Sequence, residues 1–128
     1  MTRTIRLFML FEATAFVLAA LTHFGVLLSG YAHQKAGIAE SVIAAVLVFG
    51  LAASVGRPTR SYGVELLTQA FALFGTLVGV FTIVVGVGPR TIPDIVYHVV
   101  IVFILATGLV VTLRARAELA RRNINRAP

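Results

Sequence analysis

Four of the five acidic residues lie inside or at the edges of long apolar stretches: Glu12, Glu40, Glu65 and Asp94. The fifth, Glu118, follows the last of these stretches. An ionised side chain at the centre of a bilayer costs about 2.5–3.5 kcal/mol on insertion scales, so such a residue usually has a partner or a function. The acids in apolar surroundings are therefore the first candidates for chemistry in this chain.

Two histidines could act together with two of these acids. His23 and His98 lie at matching depths in the first and last apolar stretches, roughly 9–10 Å below one membrane surface. The first and last helices of an up-down bundle are neighbours, so we expect the two imidazoles to meet. Asp94 precedes His98 by one helical turn, where a carboxylate can orient an imidazole or share a cation with it. Glu40 lies in the second stretch at the same depth as Asp94.

Together these four residues suggest a ligand site near the outer face. His23 and His98 would be axial ligands of a haem b, with Arg90 near its propionates. Alternatively, the two imidazoles with Asp94 and Glu40 would hold a divalent metal of the zinc type. The chain contains no cysteine, which excludes thiolate metal sites, disulfides and covalently attached haem.

Both carboxylates also have purely structural interpretations. Thr91-Ile92-Pro93-Asp94 is typical of a capping box with proline in the first helical turn. Glu40 would complement the dipole at the start of its helix.

Glu12 and Gln69 form a second candidate site. Glu12 lies eleven residues before His23, which turns a helix by about 1,100°, or three turns plus roughly 20°, so both side chains point from one face. Lipid cannot solvate either group, so this face must line the bundle interior. Gln69 lies at the depth of Glu12 and could donate a hydrogen bond to it. Glu12 and His23 would then mark an axial path for a proton or cation.

The composition defines the elements that must position these groups. Of 128 residues, 59% are hydrophobic and 12% are charged, whereas soluble domains carry about 25% charged residues. Four apolar stretches are long enough to span a bilayer. We predict one all-α membrane domain over residues 1–128, an up-down bundle of four transmembrane helices. The predicted helices cover residues 7–30, 37–56, 62–88 and 92–113, and a basic cytoplasmic tail covers 114–128.

The net charge of +6 follows topology. Nine of the eleven basic residues flank the apolar stretches on one side, and only Lys35 and Arg90 lie on the other. The positive-inside rule therefore places both termini in the cytoplasm, and we assign the protein to the plasma (inner) membrane. Because the charges flank the spans and do not line one face, we expect no nucleic-acid partner. The nine residues are Arg3, Arg6, Arg57, Arg60, Arg114, Arg116, Arg121, Arg122 and Arg126.

Two further patterns concern architecture. Offsetting the chain by 54 residues places residues 38–52 on residues 92–106 with several identities, and aligns Glu40 with Asp94. This favours two tandem helical hairpins, related by an axis along the membrane normal. Gly75 and Gly79 form a ridge of small residues, which serves either close packing within the bundle or the seam of a homodimer.

Enzymatic activity is not predicted, because the chain has no GxSxG, HExxH or phosphate-loop signature. The lipid bilayer is the one partner that the composition requires. Three hypotheses about function remain. The protein could be a haem- or metal-binding membrane module. It could be a proton- or cation-coupled small transporter or channel subunit that acts as an oligomer. It could also be a non-catalytic accessory or scaffolding subunit of a larger membrane complex.

Overall fold

A computed structural model describes residues 2–56 and 62–125. These residues form four helices and no strand: α1 Thr2–His23, α2 Gln34–Gly56, α3 Gly63–Val84 and α4 Ile92–Ile124. Each helix is long and apolar enough to cross a membrane. The predicted fold class, an all-α multi-pass membrane protein with four helices, is confirmed.

The helices form a ring in chain order. Each helix packs against the next, α4 packs against α1, and the diagonal pair α1 and α3 barely touch. The loops 24–33 and 85–91 lie at one end of the bundle, which we call the hairpin end. Thr2 and Asn125, the first and last described residues, lie toward the opposite end, which we call the terminal end.

Apolar side chains lie both inside and outside the bundle. The main buried cluster surrounds Phe16, Leu47 and Leu105. Outside, the rings of Phe49 and Phe103, which the 54-residue offset aligns, are 70% and 71% exposed. Large apolar side chains around the whole bundle are suited to contact with lipid, which solvates them without cost.

The first helix ends earlier than its apolar composition predicts. Residues 24–28 continue the apolar run, but α1 ends at His23, and the following loop contains Gly25 and Gly30 at φ values of +74° and +85°. Glycine adopts this left-handed conformation without the steric cost that a side chain imposes. The main-chain N–H of His33 donates to the His23 carbonyl at 2.7 Å, which closes the loop. His23 is therefore the last residue of α1 and not a residue two turns inside it.

The other boundaries differ in similar ways. The second helix begins at Gln34, and α3 ends at Val84, before the left-handed Gly86. The last helix continues beyond residue 113 to Ile124, so most of the predicted tail is an exposed helical extension. Three of the basic residues assigned to the cytoplasmic side, Arg57, Arg60 and Arg126, fall outside the described residues.

Candidate functional site

His23 lies buried between two carboxylates. Its Nδ1 is 2.7 Å from Oε2 of Glu40 on α2, and its Nε2 is 3.1 Å from Oδ1 of Asp94 on α4. We call His23, Glu40 and Asp94 the histidine cluster. Both ring nitrogens of the imidazole are thus occupied, and three helices meet at one side chain at the hairpin end.

Asp94 reaches His23 because it also caps α4. Its Oδ2 accepts from the Thr91 main-chain N–H at 3.2 Å and from the Thr91 hydroxyl at 2.5 Å, while the Asp94 N–H donates to that hydroxyl. The predicted capping box is confirmed, with Pro93 in the first turn. It leaves Oδ1 of the same carboxylate free to contact the imidazole, so the structural and the site roles of Asp94 coexist.

Tyr31 extends the cluster to the surface of the hairpin end. Its ring stacks on His23 with centroids 5.8 Å apart, and its phenol contacts the Thr91 hydroxyl. The pKa of Tyr31 is raised, mainly by burial and to a smaller extent by the neighbouring Asp94 carboxylate. The phenol therefore stays protonated and donates. A hydrogen-bonded chain therefore runs from Tyr31 through Thr91 to Asp94. Sequence reasoning gave Tyr31 no part in this site, since a loop tyrosine carries no distinctive signal.

The number of protons in its two hydrogen bonds determines the charge of the histidine cluster. Two bonds between one imidazole and two carboxylates need two protons. An imidazolium between two carboxylates supplies them, and so does a neutral imidazole with one protonated carboxyl group. Both arrangements leave a single net negative charge. The ends of the helices favour the ionic form, because a cation is stabilised at the C-terminus of α1 and an anion at the N-terminus of α4.

His98 does not join this cluster, which corrects the expected meeting of the two imidazoles. Its Nδ1 lies 2.8 Å from the main-chain oxygen of Asp94, one turn earlier on the same helix. Its Nε2 faces α3, 3.1 Å from the place that a Cβ on Gly79 would occupy. His23 and His98 thus contact different parts of Asp94 and face different neighbours.

The expected haem and metal ligand sets are not assembled. Within residues 2–56 and 62–125, no group of three or more histidine or acidic side chains has an arrangement that could hold a metal ion. Arg90, expected beside haem propionates, instead donates to the main-chain oxygens of Ile83 and Val84, both at 2.8 Å. It thereby caps the C-terminal end of α3.

A cavity of about 220 Å³ lies between α2 and α3 at the hairpin end. Its lining is mostly apolar, with Glu40, His98 and Thr76 among the polar side chains and Lys35 at the exposed edge. Glu40 uses Oε2 on His23, and its Oε1 has no hydrogen-bond partner among the described residues. The carboxylate thus links the histidine cluster to an apolar space.

The glycine ridge borders this cavity and packs within the bundle. A Cβ on Gly75 would lie 2.9 Å from Ile43 Cδ1 on α2, and one on Gly79 would approach His98 on α4. Of the two predicted uses of the ridge, the structure therefore supports close packing between helices of one chain.

A second groove of about 370 Å³ runs between α1 and α4 on the other side of His23. Tyr97 lines it, and the Tyr97 hydroxyl is buried without a hydrogen-bond partner among the described residues. The histidine cluster is consequently flanked by a cavity on each side.

Glu12 and Gln69 meet nearer the terminal end, as their depths predict. Gln69 Nε2 lies 3.2 and 3.3 Å from the two carboxylate oxygens of Glu12, and Thr112 donates to Gln69 Oε1 at 2.8 Å. All three side chains are 0% exposed. We call them the Glu12 network. It joins α1, α3 and α4 over Gly108, whose missing side chain leaves room for both Glu12 and Gln69.

Comparison of the chain with protein-family models, curated proteins and solved structures found no match.

Proposed function

We propose that the protein binds a small, mainly apolar amine within the membrane, in the cavity between α2 and α3. The observation that carries this proposal is the position of Glu40. One of its carboxylate oxygens is held by His23, and the other has no partner among the described residues, while the residue lines an apolar cavity.

Charge favours an amine over a neutral or acidic ligand. The histidine cluster holds a single net negative charge in surroundings from which water is largely excluded, where an opposite charge interacts more strongly than in water. A protonated amine would donate to Glu40 Oε1 and neutralise the cluster. Lys35 at the cavity edge is exposed, so water and salt screen its charge.

Size limits the ligand further. Pockets for drug-sized molecules measure about 300–1,000 Å³, whereas this cavity measures about 220 Å³. A single ring or a short chain with one amino group fits that volume. The apolar walls, which include Ile43 and Val78, would contact the hydrocarbon part.

Charge distribution also supports an orientation for this site. With both termini in the cytoplasm of a cell and the chain in its plasma membrane, the hairpin end faces outward. The cavity would then receive its ligand from the outer leaflet or from the outer aqueous phase.

Binding can be tested with three probes of similar shape. Phenethylamine, propylbenzene and hydrocinnamate present an ammonium, a methyl and a carboxylate group on comparable frames. A ligand that binds only the folded protein raises its unfolding temperature. We expect phenethylamine to raise it in lipid nanodiscs and the other two probes to have little effect.

Variants locate the effect. Glu40→Gln retains the shape of the side chain and removes its charge, so we expect at least about a tenfold loss of affinity for phenethylamine. Glu118→Gln removes an exposed acid far along α4 and should leave binding unchanged. Equal stabilisation of E40Q and the unaltered protein, or equal effects of phenethylamine and propylbenzene, would contradict the proposal. The buried polar groups would then only fix helix register, as expected for an accessory subunit.

A further inference from the structure

Glu12 has no cationic partner within the part of the chain that the structure describes. Its carboxyl group is 0% exposed, and the ion pairs among the described residues are those of His23, which lies at the C-terminal end of α1, whereas Glu12 lies near its middle. Its polar contact is the amide of Gln69. Among residues 2–56 and 62–125, a charge in this place has one neutral donor to replace water, and burial of an unpaired charge is costly.

Hydrogen bonds of the Glu12 network can run in either direction. With Glu12 ionised, the Gln69 amide donates to the carboxylate, and the Thr112 hydroxyl donates to the Gln69 oxygen at 2.8 Å. With Glu12 protonated, a half-turn of the amide lets the carboxyl O–H donate to the Gln69 oxygen. The amide N–H then donates to Thr112, and Thr112 donates to the Gly108 main-chain oxygen, 2.9 Å away.

We propose that Glu12 is a proton-binding site inside the membrane, and that binding of its proton reverses the hydrogen bonds through Gln69 and Thr112. A hydronium ion transfers its proton to one carboxylate oxygen and leaves a water molecule, so one O–H bond is broken, one is formed, and no other covalent bond changes. In both states the amide nitrogen and oxygen of Gln69 and the hydroxyl of Thr112 each take part in at least one hydrogen bond, so the network accommodates both forms of Glu12. This site is separate from the amine site, because it shares no residue with the cavity.

Few other titratable groups face this site. From the packed elements, α2 has no titratable residue after Glu40, and α4 has none between His98 and Arg114. On α1 the nearest is Arg6, which donates to the main-chain oxygen of Ser54 at 2.5 Å. The remaining one is Glu65 on α3.

Glu65 lies one turn from Gln69, toward the terminal end. It is 5% exposed, and its Oε2 is buried without a hydrogen-bond partner among the described residues. It therefore offers a second carboxyl group between Glu12 and the end of the bundle, and the test must separate the two.

Infrared difference spectroscopy of the full chain in lipid, between acidic and alkaline buffer, measures the carbonyl stretch of protonated carboxyl groups. We expect a pH-dependent band that Glu12→Gln removes and that Glu65→Gln and Glu118→Gln retain. Thr112→Val should shift the band without removing it, because Thr112 positions the amide and does not hold the proton.

A second measurement needs no variant. Dicyclohexylcarbodiimide adds to protonated carboxyl groups in apolar surroundings, and the O–H adds across one C=N bond without a leaving group. Mass spectrometry should find the adduct on the peptide that contains Glu12, with less labelling at alkaline pH. Absence of the band and the adduct, a band lost in E65Q but kept in E12Q, or labelling independent of pH would each overturn the proposal.

Discussion

His23→Ala tests the histidine cluster most directly. The substitution removes the imidazole and leaves Glu40 and Asp94 facing each other across the space that it filled. Because both carboxylates lie on different helices from His23, the variant also removes the polar connection of α1 to α2 and α4 at the hairpin end.

Two charge-assisted hydrogen bonds are lost, at 2.7 and 3.1 Å. Each such bond contributes about 1.5–3 kcal/mol, and removal of one partner from a buried ion pair costs about 3–5 kcal/mol. Protonation of one stranded carboxylate limits the loss to the latter range. We therefore expect H23A to lower the free energy of unfolding by about 3–5 kcal/mol, or roughly two to three and a half orders of magnitude in the unfolding equilibrium.

Reversible unfolding by sodium dodecyl sulfate in mixed micelles, followed by far-ultraviolet circular dichroism, measures this quantity. His98→Ala is the matched control, and we expect a loss near 1 kcal/mol because it removes one hydrogen bond to a main-chain oxygen. Glu40→Gln should destabilise the unaltered protein but stabilise H23A, since it removes a stranded charge. A loss below about 1 kcal/mol in H23A, or the same sign for E40Q in both backgrounds, would refute the reasoning.

Two further predictions concern other parts of the bundle. Gly108→Ala should lower the free energy of unfolding by about 1–3 kcal/mol through overpacking, because its Cβ would lie 2.7 Å from Gln69 Nε2. Gly56→Ala is the control, since its Cβ would enter open space and should leave the free energy of unfolding unchanged. Equal unfolding free energies of the two variants would contradict the close approach at Gly108. Tyr31 has a raised pKa, so the folded state holds its proton more tightly, and stability falls as pH rises from about 10 through that raised value. Tyr31→Phe should flatten this alkaline decline, and an unchanged slope would show that other groups cause it.

The number and order of the helices could be predicted from the sequence. Apolar runs of membrane-spanning length, separated by glycine and proline, specify four helices and their order. The end of α1 could not be predicted from the sequence, because Phe24 and Leu28 lie in a turn but are as apolar as the residues of a membrane span. The left-handed backbone conformation at Gly25 ends the helix. A glycine within an apolar span does not by itself predict this conformation.

The site was predicted in part. Depth and the 54-residue offset identified Glu40 and Asp94 together, and the structure places both on one imidazole. Depth alone could not choose between His98 and Glu40 as the neighbour of His23, because it leaves the rotation of each helix about its axis undetermined. That rotation depends on packing across the whole bundle.

Thr112 was missed for a different reason. Threonines in apolar helices commonly donate to the carbonyl one turn earlier, as Thr14 and Thr107 do here. The Thr112 hydroxyl lies within hydrogen-bonding distance of that carbonyl, at 2.9 Å, and of Gln69 Oε1, at 2.8 Å, and its one proton can be donated to either. Nothing in the sequence distinguishes the threonine with the second partner from those without one.

The two polar networks fasten the four helices unequally. The histidine cluster joins α1, α2 and α4 at the hairpin end, and Arg6 joins α1 to α2 near the terminal end. Among residues 2–56 and 62–125, the side-chain hydrogen bonds from α3 to other helices are those of Gln69. Between Gln69 and the Arg90 contacts at its C-terminal end, α3 meets the other helices through packing, across a face that contains Gly75 and Gly79. Among the described residues, the part of α3 that lines the cavity makes no side-chain hydrogen bond to another helix, so we expect this wall to yield before the α2 wall, which Glu40 ties to His23.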